Sequence, residues 1–451
     1  MKKRFFAFLL FFIFIFNINL KVYADVLDDV KFILKNYYVD DVPQGVFDAD
    51  SIDEALKALN DPYTQYFTKE EFNDFLNSIN KSFSGIGVQI EKVPEGIKIM
   101  TVFDSSPAKE AGLKAGDIII EADGTSFKDL PLENAIKLIR GAEGTSVNLK
   151  VKRGDSIFEV LVTRKKIQFP TVEFKKINNI GYIRILSFGE TTDVDFKNYV
   201  EKNKALDGFI IDLRNNPGGY LQTAVNLGGY FVGQKPIVLL KGKDFTQEYE
   251  SDNDEILKGK KVVFLVNENS ASASEVLTGA IKDYKRGLII GNKTFGKGTV
   301  QTFLGLSDGG VLKLTIQRFY SPKGNKINKV GIQPDIFVKD SQMQFDIAYM
   351  LLGKSSKIKK GFCMVKIGDS YYEIDKNLLK NKKYYDAFIY LLNNNYIKEY
   401  YDGTNQKYVR IAMKKSIIEK LTTGRAYIER VKTKRGYSYV IRYYTALKKG
   451  A

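Results

Sequence analysis

Val262-Val-Phe-Leu-Val266, Asn267-Glu-Asn269 and Ser270-Ala-Ser-Ala-Ser-Glu275 follow one another without a break: an apolar run, a polar turn and a serine-rich segment. The run reads as a buried strand, and the positions Val276, Leu277, Ala280, Ile281 and Tyr284 recur at helical spacing from Ser272 onward. A serine at that strand-to-helix corner sits where unsatisfied backbone N–H groups face any negative charge that develops beside them. This is a workable oxyanion site. The plainer alternative is that Ser270, Ser272 and Ser274 only cap and start the helix.

Twenty-five residues after Ser272 stands Lys297, in Thr294-Phe-Gly-Lys-Gly-Thr-Val-Gln301. The chain contains no histidine, so a serine nucleophile has no imidazole to take its proton, and a lysine is the leading base. A free lysine holds its proton far above neutral pH, and burial in an apolar pocket is what lowers it. Phe295 is the expected wall of that pocket, and Gln301 the expected hydrogen-bond partner of the amine. A solvated lysine in a glycine turn is the alternative. A third segment, Asp212-Leu-Arg-Asn-Asn-Pro-Gly-Gly219, follows another apolar strand and precedes a helix, so its glycines can add backbone donors. It lacks the Gly-Lys-Ser/Thr ending of a phosphate loop.

Around these segments strands are expected at Tyr182–Leu186, Phe209–Leu213, Ile237–Leu240 and Leu288–Ile290, with helices near Val194–Lys204, Tyr220–Phe231 and Ala273–Tyr284, an α/β core over 168–340. Leu312-Lys-Leu-Thr-Ile-Gln317 alternates strictly, as a strand with one solvated face would. Residues 81–167 change texture to strands and glycine turns around two short helices, Ser106–Gly112 and Leu132–Arg140. In Phe83-Ser-Gly-Ile-Gly-Val88 the glycines allow N–H groups to converge on a carboxylate. Residues 25–80 read as helical, with Val30, Ile33, Leu34 and Tyr37 on one face. That is too little apolar surface for an independent domain, so it should pack on a neighbour or a second subunit.

Residues 81–167 resemble a PDZ domain of the bacterial protease type. The order of PDZ-like module, Asp-Leu-Arg-Asn-Asn-Pro-Gly-Gly, Ser-Ala-Ser-Ala-Ser-Glu and Thr-Phe-Gly-Lys-Gly-Thr-Val-Gln, with Asn60-Asp-Pro-Tyr-Thr-Gln-Tyr-Phe67 before and Gly331-Ile-Gln-Pro-Asp-Ile336 after, resembles the carboxy-terminal processing peptidases, or tail-specific proteases. The resemblance implies a serine endopeptidase with a crotonase- and Clp-protease-like α/β core and an inserted PDZ domain, cutting proteins near a free C-terminus without any cofactor. Ser272 is then the nucleophile, Lys297 the general base, Gln301 its orienting residue, and the N–H groups of Ala273 and Gly218, with Gly219 as alternative to the latter, the oxyanion donors. Ser84, Gly85, Ile86 and Gly87 would bind the substrate carboxylate, and Arg140 would sense the bound tail. The resemblance also implies a homodimer. The competing expectation is an inactive PDZ adaptor that only binds protein tails.

The bulk numbers agree with a soluble globular chain: 451 residues, 44% hydrophobic and 27% charged. One cysteine, Cys363, closes no intramolecular disulfide, and without histidine or a cysteine cluster no metal site of the usual kind is expected. Lys2, Lys3 and Arg4, the apolar stretch Phe5–Phe16 and Val22-Tyr-Ala24 read as an export signal over 1–24, with a retained anchor as the alternative, so the bulk is expected outside the cytoplasm. The net charge of +16 is concentrated at the end: from Lys354 onward 23 Lys and Arg face 8 Asp and Glu. Residues 341–451 are therefore expected as a small basic α+β region of unknown role, drawn to an anionic cell-envelope surface, with nucleic acid argued against by the export signal.

Overall fold

The computed structural model describes residues 25–243, 245–352, 361–404, 407–433 and 436–443. The expected export signal lies outside them. Among the described residues no helix is long and apolar enough to cross a membrane. The chain divides into two compact units, residues 69–170 and the remainder. The division falls at Thr68, so the helix Lys69–Asn80 goes with the inserted unit and the helices Val26–Tyr37, Gln44–Phe47 and Ile52–Leu59 with the larger one.

The larger unit is built on a six-stranded sheet in the order Val172–Ile177, Ile180–Ile185, Gly208–Asp212, Lys261–Val266, Leu288–Gly291, Ile336–Phe337, parallel except for its first pair. Its central strands are apolar on both faces because both faces are covered. Phe209, Ile211, Phe264 and Val266 pack under the helices Thr192–Lys202, Leu221–Val232 and Ala273–Asp283. Ile210, Val263 and Leu265 face the other way, onto the helix Ser341–Leu352 and onto Cys363, Phe388, Leu391 and Tyr400. The basic terminal region thus shares the core of the larger unit. It contributes the helix Lys382–Asn393, a four-stranded sheet and the hairpin Ala426–Thr433/Gly436–Tyr443.

A second sheet carries the strands Thr299–Gly305 and Val311–Tyr320, paired antiparallel, with Gln65–Phe67 added to the edge of the latter. The expectation of one solvated face fails here. Lys313, Thr315 and Gln317, the polar alternates of this strand, are all buried. The covering material is the N-terminal segment: Val30, Ile33 and Leu34 pack with Leu312 and Leu314, Val39 N donates to Thr315 O, and Thr64 and Gln65 lie against Thr315 and Lys313. The segment expected to seek a neighbour finds it in its own chain. Tyr37, expected on the apolar face, is exposed, and Leu27 and Tyr38 take its place.

In the inserted unit the sheet order is Val88–Val93, Gly96–Val102, Ile118–Ala122, Ser146–Arg153, Ser156–Thr163. Ile97, Ile99, Ile119, Phe127, Val147 and Leu149 form its core, closed by the helix Leu132–Ile139. A separate ladder pairs Ser82–Gly85 with Lys165–Gln168, which brings the two ends of the unit together.

Candidate active site

The strand Lys261–Val266 ends in a turn that delivers Ser272 at φ 56°, ψ −116°, immediately before the helix Ala273–Asp283. For a residue with a Cβ this is a strained backbone, of the kind found where a side chain is held out at a sharp strand-to-helix corner. Its two neighbours are spent on structure. Ser270 Oγ donates to Leu213 O at 2.8 Å and Ser274 Oγ to Asn216 O at 3.0 Å, both fully buried. Of the three serines, Ser272 is the half-buried one.

The turn after Asp212 is fixed from several sides. Arg214 forks onto Asp212 and reaches Ser341 O and Gln344, and the Asn216 amide donates to Ile185 O. Gly218 and Gly219 adopt φ 108° and 146°, and a Cβ on Gly219 would stand 2.3 Å from Phe188 O. A Cβ on Gly218 would meet that of Ser272 at 2.8 Å, so this turn abuts the serine. The Gly218 N–H, however, is already donated to Asn216 Oδ1 at 2.9 Å. Among the described residues the N–H groups of Gly219 and Ala273 donate to nothing.

What joins the serine corner to the lysine turn is Glu275, the last residue of Ser270–Glu275. Its buried carboxylate accepts from Ser272 N at 3.0 Å, Thr294 Oγ1 at 2.6 Å, Gly296 N at 2.7 Å and Lys297 N at 2.8 Å. Burial pushes this carboxyl up, while the same four hydrogen bonds pull it down. Phe295 N donates to Ser270 O at 3.0 Å. Thr294 is pinned in turn by Ile332 N, and a Cβ on Gly331 would lie 2.3 Å from Thr294 O. The segment Gly331–Ile336 therefore backs the lysine turn.

Lys297 is half-buried, and burial lowers its pKa, opposed by the charges of Asp61 and Glu275. The wall of its pocket is not Phe295, whose side chain is 58% exposed. It is Tyr63, whose ring centroid lies 4.8 Å from Lys297 Nζ. Gln301 does not hold the amine either: its Nε2 donates to Thr299 Oγ1 at 2.9 Å and Thr315 Oγ1 at 3.3 Å. Thr315 donates to Asp61 Oδ2 at 2.6 Å, and Thr64 donates to the same oxygen at 2.7 Å. Among the described residues no hydrogen bond joins Lys297 Nζ to Ser272 Oγ. Beside Lys297, Lys313 is pushed down to about 8, by burial first and then by the Lys297 charge.

In the inserted unit Gly87 has φ 81°, and a Cβ there would stand 2.3 Å from that of Ser106. Among the described residues the N–H groups of Ile86 and Gly87 donate to nothing, and the buried Ser84 Oγ has no partner. Ser84 and Gly85 lie in the short ladder with Lys165–Gln168, while the Ile86 side chain is part of the core. The Arg140 guanidinium lies over the Phe83 ring at 5.5 Å, and its Cγ is within 3.8 Å of a Cβ built on Gly85. Among the described residues the strand Val88–Val93 pairs on one side, with Gly96–Val102, and no strand pairs with its other edge.

Residues 179–338 match the profile of peptidase family S41, and residues 84–163 that of the PDZ domain. Residues 179–338 are thus similar to peptidase family S41. A "Probable CtpA-like serine protease" of Staphylococcus haemolyticus is 39% identical over 316 residues, 69% of this chain and 64% of that protein. One of the same description from Staphylococcus aureus is 39% identical over 300 residues, 65% of this chain and 60% of that protein. The chain thus spans less than two thirds of these relatives. A photosystem II D1 C-terminal processing protease is similar in structure, with 27% identity, a TM-score of 0.46, and coverage of 73% of this chain and 97% of that one. The S41 match takes in the glycine turn, the serine corner and the lysine turn, and stops short of the basic terminal region, which begins at 341.

Proposed function

We propose that the chain is an exported serine endopeptidase that cuts polypeptides near their C-terminus, with Ser272 as nucleophile and Lys297 as base. The observation that carries this reading is the Glu275 carboxylate, which binds the backbone of both residues and sets their two loops against one another. Neutral Lys297 removes the Ser272 proton as Oγ attacks the scissile carbonyl carbon. The oxyanion is received by the N–H groups of Gly219 and Ala273. The lysine ammonium then protonates the departing amine, leaving an ester on Ser272. Water, deprotonated by the same amine, attacks the ester and restores both residues. Gln301 and Asp61 act through Thr315 on the shape of the pocket.

The PDZ domain would take the substrate's terminal carboxylate on the Ile86 and Gly87 N–H groups beside Arg140, while the chain pairs with the open edge of Val88–Val93. The basic terminal region would hold the enzyme at an anionic envelope surface. Its exposed hairpin carries Arg442 and Lys432 among Tyr427, Tyr439 and Tyr443. Homodimer formation follows from the family resemblance and is tested by light scattering.

The deciding experiment incubates an unstructured polypeptide with wild type, Ser272→Ala and Lys297→Ala. Cleavage by wild type alone supports the dyad, equal cleavage by all three removes it, and no cleavage by wild type leaves a tail-binding adaptor. Equal rates on free and amidated C-termini would exclude carboxylate capture.

A further inference from the structure

Phe295 is the member of the lysine turn for which the mechanism finds no use. Its backbone is held by hydrogen bonds on either side and at its own N–H. Thr294 before it and Gly296 after it both donate to Glu275 Oε1, and its own N–H donates to Ser270 O, two residues from the nucleophile. Yet its ring is 58% exposed. A second large apolar side chain, Val330, is 45% exposed on the segment next to it. Lys329 N donates to Gly296 O at 2.7 Å, and a Cβ on Gly296 would stand 3.2 Å from Val330 N, so the two exposed residues are carried on backbones in contact.

We propose that Phe295 and Val330 form an apolar subsite that receives an aliphatic or aromatic side chain of the substrate polypeptide, within a residue or two of the scissile bond. This rests on the peptidase reading of Ser272. The occupant is a substrate side chain because the pair is continuous with the nucleophile through the Phe295–Ser270 hydrogen bond. An extended chain whose carbonyl lies over Ser272 spaces its residues about 3.3 Å apart, so its neighbouring side chains fall on the surfaces flanking that serine. Exposed rings at a rigid site bind by removing apolar surface from water, an effect that discriminates by side-chain size and polarity. A rigid backbone beneath an exposed ring keeps the subsite formed before substrate arrives.

The test begins by mapping cleavage sites in an unstructured polypeptide by mass spectrometry. Two matched peptides with amidated C-termini, which removes capture of a free tail, then carry leucine or serine at the residues adjoining the mapped bond. Wild type should favour the leucine peptide. Phe295→Ala should cut that preference about tenfold, chiefly through KM, with Phe295→Leu retaining most of it and Val330→Ser falling between. The pH profile should not move. Loss of rate on both peptides alike, a displaced pH profile, or unchanged preference in Phe295→Ala would overturn the subsite. Binding of the same peptides to Ser272→Ala separates this claim from catalysis. Tighter binding of the leucine peptide that Phe295→Ala abolishes upholds the subsite even if wild type cuts neither peptide, and equal binding rejects it.

Discussion

Glu275 Oε2 accepts the backbone N–H of Lys297 at 2.8 Å and, at 3.0 Å, that of Ser272. One carboxylate therefore ties together the two residues of the proposed dyad, although they come from different turns. Glu275→Gln keeps the volume but replaces one accepting oxygen with an NH2 group that faces N–H donors. Each buried donor left unpaired costs about 1–3 kcal/mol. Turnover is expected to fall at least about tenfold, with a lower denaturant midpoint and little change in KM. Steady-state kinetics with urea unfolding decides the point, and unaltered turnover would show that Glu275 only caps a helix.

Gly219→Ala should be more damaging than Gly218→Ala. At Gly219 the new Cβ would press on Phe188 O at 2.3 Å from a φ of 146°, a closer clash than at Gly218, where from a φ of 108° it would meet Ser272 Cβ at 2.8 Å, Ala271 O at 2.9 Å and Ala273 N at 3.0 Å. Displacement of the Gly219 N–H removes one of the two proposed oxyanion donors, worth about 10²–10³ in kcat in comparable sites. Acylation by a fluorophosphonate probe, followed over time, compares the two variants.

Much of this was open to reading from the chain. The apolar run Val262–Val266 and the helical spacing after Ser272 led directly to the corner that presents the serine, because local pattern determines both elements. The lysine's surroundings were not legible in that way. Phe295 is its neighbour in sequence and was the natural candidate for its wall. The true wall, Tyr63, is more than 230 residues away, and only the addition of Gln65–Phe67 to the edge of Val311–Tyr320 brings it there. The same event buries Lys313, Thr315 and Gln317, whose alternation is indistinguishable from that of a solvated face until the covering segment is known. Glu275 was hidden for a different reason: a glutamate three residues into a helix reads as half of a capping box, and nothing local reveals that it also serves a second turn.

Burial is the largest influence lowering the Lys297 pKa, and the Tyr63 ring lies 4.8 Å from its Nζ. Tyr63→Ala admits water, so the amine should hold its proton to higher pH. The rising limb of kcat/KM is then expected to shift upward, with low activity at pH 7 recovered in alkaline buffer. Phe295→Ala should leave that limb in place. A Tyr63→Ala profile that coincides with wild type would remove the ring from the pocket's electrostatics.

Arg140 stacks on Phe83 at the loop that carries Ile86 and Gly87. In a Ser272→Ala background, Arg140→Ala should weaken binding of a peptide with a free C-terminus about tenfold and leave its amidated counterpart unaffected, read by fluorescence anisotropy. An equal loss for both peptides would assign Arg140 to packing alone.

Lys297 and Lys313 both have pKa values lowered in the folded chain, the latter to about 8, against 10.5 for a free lysine. Between those values the unfolded chain binds more protons than the folded one, so stability must rise with pH across that window. Below it, the Lys313 amine is charged in the folded protein and the cost of burying it is carried in full. Lys313→Met removes one such charge. Its unfolding free energy at pH 7 should therefore match or exceed that of wild type, and its dependence on pH between about 8 and 10.5 should be flatter. Urea titrations at several pH values give both quantities. A variant less stable than wild type at pH 7, with an undiminished slope, would mean that the Gln65 and Phe67 contacts of Lys313 outweigh the cost of its charge.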